Sequence, residues 1–273
     1  MQRRFMIFFT VVILFSLLIT PAGTAQASTQ QAAPECPPYK AGFLQDKGFL
    51  ATLTPECIRT YKEAARADAL PAAADIAITA TGGPDNFGYT YNSTVAYSWI
   101  SATTNSGLTG DDKSSGPINI GFSFPFYGTA QTQLYFNTNG LITFGAGSAQ
   151  WGAYTIPDEL NPNHFIAAFW DDLLVGSPYN SGAIFYAKGG TAPNRYFVIE
   201  WRNVENYAGN NTFSFEAILY EKGDIVIQHK SLPSDYYATV GIEDMSGDVG
   251  LQYEYGTSGL TAPKAIQFSY PTI

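Results

Sequence analysis

The sequence predicts an all-β protein, an antiparallel β-sandwich of about a dozen short strands preceded by a small disulfide-stapled helical segment. Three observations carry that prediction. Runs rich in Val, Ile, Tyr, Phe and Trp recur from Asp75 onward, each bounded by Gly, Asn or Pro turn residues. Apolar and polar positions alternate within these runs instead of following helical spacing. No long helical pattern separates them, as a parallel sheet would require.

At the N-terminus Arg3 and Arg4 precede the apolar run 5–19, and Ala25-Gln26-Ala27 follows it. That order reads as a secretory signal peptide over residues 1–27, and the apolar run is short for a membrane span. The mature chain is therefore expected to be secreted, with no membrane span. The formal charge is −9, and the signal peptide would take two arginines with it. An acidic surface lacks the Lys/Arg footprint that nucleic acid and anionic membranes demand. Only 14% of residues are charged, which suits an extracellular module relying on neutral polar contacts.

Residues 28–74 read as a polar spacer followed by a Cys-bounded helical lead. Pro34-Glu35-Cys36 is echoed by Pro55-Glu56-Cys57. Thr54 can cap a helix whose first position is Pro55, with Glu56 complementing the dipole, and Pro71 ends it after Leu70. Cys36 and Cys57 match no metal-ligand or redox spacing, so in an exported chain they are expected to form a disulfide closing a loop of about 22 residues, worth ~3 kcal/mol in the chain-entropy model.

From 75 to 273 the strands are predicted at 97–100, 118–124, 134–138, 141–144, 165–170, 183–187, 196–201, 213–220, 225–229, 239–242, 251–255 and 265–270. The Asn139-Gly140 pair predicts a type I′ hairpin joining 134–138 to 141–144, because both residues tolerate positive φ. A second two-residue turn, Lys222-Gly223, would set Tyr220 opposite Ile225 and Glu216 opposite His229. In the run 195–202, Phe197, Ile199 and Trp201 share one face, with Tyr196, Val198, Glu200 and Arg202 on the other. Phe213, Phe215, Ala217 and Leu219 likewise oppose Ser214, Glu216, Ile218 and Tyr220. Apolar residues on both faces predict central strands.

Several phrases of this region, taken in order, resemble a known family. They include Pro84-Asp85-Asn86-Phe87-Gly88-Tyr89, Gly116-Pro117-Ile118-Asn119-Ile120-Gly121-Phe122, Phe126-Tyr127-Gly128, Asn139-Gly140, Phe169-Trp170-Asp171-Asp172, Glu200-Trp201 and Val240-Gly241-Ile242-Glu243. The chain from about Asp75 to its end is similar to the NIDO domain of nidogen-type matrix proteins, as found in secreted bacterial and archaeal proteins. The resemblance implies a non-catalytic extracellular module, one often found beside secreted subtilisin-like peptidases or in adhesion proteins.

Enzyme readings rest on few residues. There is no Gly-x-Ser-x-Gly elbow, His-Glu-x-x-His or phosphate loop, and only His164 and His229 could serve as imidazole bases. If the chain reverses near Ala208, Glu200 falls opposite Glu216, and one face gathers Glu200, Glu216, His229 and Arg202. Paired carboxylates suit glycoside hydrolysis, and two Glu with a His can hold a metal. The plainer reading is a polar patch in which Arg202 screens the acids. Acidic pairs at Asp111-Asp112, Asp171-Asp172 and Glu243-Asp244, the last with Asp248, are candidate loop ligands for a structural calcium, and no cofactor is otherwise expected. Tyr154, Tyr179, Tyr207, Tyr236 and Tyr237 are candidates for a ligand-binding rim, or pack over sheet ends.

The expectation is a non-catalytic secreted module for cell-surface, matrix or glycan and protein adhesion. Its alternatives are a glycan-active hydrolase using Glu200 and Glu216, and an accessory or inhibitor of a separate secreted peptidase.

Overall fold

The computed structural model describes residues 36–38, 57, 60, 80–176, 182–207, 211–233, 236–256 and 259–271. Cys36 and Cys57 form the expected disulfide, and Cys57 and Thr60 are helical. The signal peptide, the spacer and the rest of the predicted helix lie outside the described residues.

Among the described residues sixteen strands follow. The first five are β1 (Thr81–Gly82), β2 (Thr90–Asn92), β3 (Thr104–Asn105), β4 (Gly110–Asp111) and β5 (Ile118–Phe126). Next come β6 (Thr129–Phe136), β7 (Leu141–Thr143), β8 (Phe165–Trp170), β9 (Leu173–Val175) and β10 (Ala183–Gly189). The rest are β11 (Tyr196–Asn206), β12 (Thr212–Tyr220), β13 (Ile225–Ser231), β14 (Ala238–Glu243), β15 (Gly250–Gly256) and β16 (Lys264–Ser269). They form a ten-stranded sheet, ordered β1-β2-β16-β13-β12-β11-β10-β3 with β9 and β4 added beside β11, and a six-stranded sheet ordered β15-β14-β8-β7-β6-β5.

The two sheets enclose one apolar cluster, and the alternation read from the sequence decides who enters it. Phe197, Ile199, Trp201, Phe213, Phe215, Ala217 and Leu219 all face it from β11 and β12. Trp201 stacks on Phe215 at 5.0 Å between ring centroids, and Phe169 of the smaller sheet packs against Phe213 and Phe215 at 5.1 and 5.3 Å. Offset aromatic pairs at such separations add to the gain from area burial alone.

Both predicted two-residue hairpins are three-residue loops. In β12–β13, Leu219 pairs with Ile225, Tyr220 N–H donates to Asp224 O and Gly223 N–H to Tyr220 O. Gly223, at φ 102°, occupies the third loop position. That is a type I turn closed by a glycine bulge, and its extra residue slips the register by one. In β6–β7, Asn137 N–H donates to Leu141 O, leaving Thr138, Asn139 and Gly140 as the loop, with Gly140 at φ 82°. A Cβ at Gly140 would stand 2.0 Å from the Phe169 carbonyl oxygen, so this loop is pressed into β8 as well as turned.

The run 97–100 is not a strand. It belongs to an irregular segment lying over the outer face of the larger sheet, where Ala102 packs with Val198 and Ile218, flanked by Ile100, Phe185, Tyr196 and Tyr220. The smaller sheet has a matching cover. Ile156, with Ala153 and Tyr154 beside it, packs on Leu141, Phe165, Ala167 and Trp170. Apolar outward residues on central strands require such covers, because a sheet exposed on both faces would leave them in water.

Candidate functional site

The bulged β12–β13 turn sets Gln228 beside Glu216, and Glu216 pairs in turn with Glu200 across β11. These three side chains form a polar row on the outer face of the larger sheet. Segment 95–102 crosses them as a strap. Ser98 N–H donates to Gln228 Oε1 at 2.6 Å, and Gln228 Nε2 returns a bond to Ser98 O at 2.6 Å. Ile100 N–H donates to Glu216 Oε1 at 3.0 Å, and Ala102 N–H to Glu200 Oε2 at 2.9 Å. An extended chain repeats its pleat every second residue, so positions 98, 100 and 102 present like groups to successive strands.

Arg202 closes the row. Its Nε donates to Glu200 Oε1 and its Nη2 to Glu200 Oε2, both at 2.7 Å, a bidentate pairing that also ties Nη2 to Ala102 O at 3.0 Å. The guanidinium lies 4.0 Å from the Phe185 ring centre. Burial is deep, with Glu200 2% and Glu216 0% exposed. Removal from water pushes the Glu216 carboxyl up to about 8, against the opposing pull of the Ile100 N–H and Gln228. It therefore holds a proton at neutral pH, and its Oε2 has no partner.

His229 is the correction to the expected cluster. The one-residue slip turns it inward, where its Nε2 lies 2.9 Å from Ala168 O and its ring meets Phe169 and Phe215. A shift of one residue exchanges faces along an entire strand. Burial lowers its pKa to about 4, so it is neutral. The sequence signal for this register was Gly223 at the third position of Glu221-Lys222-Gly223.

The acidic pairs converge differently from their order in the chain. Pairing of β4 with β9 sets Asp111 opposite Leu174, which brings Asp111 and Asp112 to Asp172. One oxygen from each of these three lies within 4.8 Å of the others, the one such group among the described residues. Asn139 donates to Asp112 Oδ1 at 2.8 Å and accepts from Leu173 N–H at 2.9 Å, so the Asn139-Gly140 loop joins both acidic segments. Three carboxylates, one from the end of β4 and two from the turns beside it, form a hard-oxygen donor set of the kind calcium takes.

Residues 88–269 match a family model described as NIDO related. The chain belongs to the NIDO-related family. No solved structure matches it. Membership and the Cys36–Cys57 disulfide together suggest an extracellular domain with a binding or structural role. No helix among the described residues of this NIDO-related chain is long and apolar enough to cross a membrane.

Within the NIDO-related domain the other expected site residues scatter. Asp171 is outside the three-carboxylate group, and its Oδ1 accepts Asp172 N–H at 2.8 Å. Glu243, Asp244 and Asp248 do not gather as a metal group. Glu243 is 1% exposed; its Oε2 accepts Asp158 N–H at 2.9 Å, its Oε1 has no partner, and burial raises its pKa to about 8. It holds the cover of the smaller sheet much as Glu216 holds the strap. Asp244 accepts N–H bonds from Ser246 and Gly247 within its own turn, and Asp248 is exposed.

Tyr236 and Tyr237, expected on a rim, are 6% and 8% exposed. Tyr236 joins the central core, and its hydroxyl accepts Leu260 N–H at 2.9 Å; Tyr237 packs edge-on to Tyr255. Both rings are buried by their neighbours, so a position beside a turn did not mean exposure. Tyr207 is half-buried beside the acidic segment, its N–H donating to Asp172 O. Tyr154 is half-buried and accepts from Gln150 Nε2 at 2.7 Å. Tyr179 lies outside the described residues.

Proposed function

We propose that this chain is a secreted, non-catalytic binding module of a cell surface or extracellular matrix, engaging a protein or a glycan. The observation that carries this reading is the use to which the chain puts its best catalytic pair. Glu200 and Glu216 are paired carboxylates of the kind acid–base chemistry uses, yet both are sealed beneath the strap and bonded to its backbone. A glycosidase needs its carboxylates across a sugar-sized cleft. Family membership supports the same conclusion.

The test is an array of glycans and matrix proteins probed with the mature chain, once with calcium and once with chelator. Selective binding is the expected result, and loss with chelator would place the Asp111, Asp112 and Asp172 group in recognition. Silence in both conditions removes adhesion to every ligand on the array. Turnover of chromogenic glycosides that disappears in Glu200→Gln would overturn the non-catalytic reading.

A further inference from the structure

Between the strap and strands β12, β13 and β16 lies a groove of about 320 Å³. We propose that it binds a neutral saccharide, an inference that rests on the binding-module reading and names its ligand class. Val226, half-buried and backed by the buried Ile218 with which it pairs across β12 and β13, supplies an aliphatic floor for the C–H face of a sugar ring. Tyr220 lines the groove half-buried, and among the described residues its hydroxyl has no hydrogen-bond partner. Gln267 donates through Nε2 to Asp224 and Ser269, which leaves its Oε1 as a free acceptor. A free hydroxyl and a free carbonyl beside an apolar floor match a polyhydroxyl ring.

Charge and backbone pairing exclude other classes. The groove has no Lys or Arg in its lining, so a phosphate or carboxylate would meet no counter-charge in a chain of net charge −9. Asp224 is its one charged residue, and both oxygens are engaged, by Tyr270 N–H at 3.0 Å and by Gln267. An extended peptide would need a strand edge to pair with. Here β12, β13 and β16 each have neighbours on both sides.

The probes are cellobiose, maltose, lactose and N,N′-diacetylchitobiose at millimolar concentration, with digalacturonate and spermidine as charged controls. Binding to the mature chain is read by saturation-transfer and amide-shift NMR. At least one neutral disaccharide is expected to bind and to shift the amides of Tyr220, Val226 and Gln267. Ala96→Trp, at an exposed lining position, fills the groove and should weaken binding by at least about tenfold while melting like wild type. Gln267→Leu removes the free acceptor and should weaken it by about tenfold. Binding by the charged controls alone, no binding by any neutral disaccharide, or neutral-sugar affinity unchanged in both variants overturns the proposal. Array binding to a matrix protein that survives Ala96→Trp, without any sugar binding, would sink the groove and leave the module standing.

Discussion

Replacing Glu216 by Gln should flatten the fall in stability with pH on the alkaline side of neutrality. The Glu216 carboxyl titrates near 8 in the folded chain against an ordinary 4.5. A raised folded pKa means that the folded state holds the proton longer. Its contribution is complete below 4.5, declines as pH rises towards 8 and is flat beyond. Within that window the slope is about 1.4 kcal/mol per pH unit. Glu243 has the same displacement, again to about 8, so the pair produces about 3 kcal/mol per unit. The two histidines, whose folded values lie below 6.5, contribute alike to wild type and variant, so the difference between the two curves isolates Glu216. The substituted amide would keep the oxygen that accepts the Ile100 N–H and place an NH₂ group where Oε2 has no partner, costing about 1–3 kcal/mol at every pH. E216Q should therefore be less stable near pH 5, cross wild type between about pH 5 and 7 and be the more stable protein by pH 8, its slope shallower by about 1.4 kcal/mol per unit. Urea denaturation at half-unit steps measures both curves. Parallel curves across this interval would refute the reasoning, because they would mean that Glu216 is already ionised under the strap.

On the acid side, His229 is held near 4 against an ordinary 6.5, so its contribution is present above 6.5 and is lost as pH falls towards 4; H229Q should remove about 1.4 kcal/mol per unit of that slope, read by the same titration. Gly140→Ala places a methyl 2.0 Å from the Phe169 carbonyl oxygen at φ 82°, and a destabilisation of about 4 kcal/mol or more is expected in thermal melts. Under the calcium reading, Asp111→Asn should raise Tm in chelator by relieving repulsion among three carboxylates within 4.8 Å of one another, and calcium should raise the wild-type Tm more than that of the variant; equal responses would remove calcium from this cluster.

Much of the fold was legible because a sandwich writes its alternation into every central strand. The sets Phe197/Ile199/Trp201 and Phe213/Phe215/Ala217/Leu219 face the core as read, and β8 spans Phe165–Trp170 as predicted. Glu200 does stand opposite Glu216. The short strands β1, β2, β3, β4 and β9 were missed, because two or three residues cannot display a period. The segment 97–100 looked like a strand for a sound reason, since it is extended and aromatic, but its partners are side chains of Gln228 and Glu216 and not another backbone.

What the sequence determined by itself was composition, periodicity and family: an all-β, acidic, disulfide-bearing chain whose apolar faces had to be buried in pairs. Only the tertiary structure decided which polar groups meet. A single loop residue, Gly223, moved His229 into the core and Gln228 into the row. Contacts between Asp112 and Asn139, or between Ile100 and Glu216, span 27 and 116 residues of chain. Local pattern encodes which face a residue takes; it is silent on the partner across the sheet, which depends on loop geometry and on the packing of distant strands.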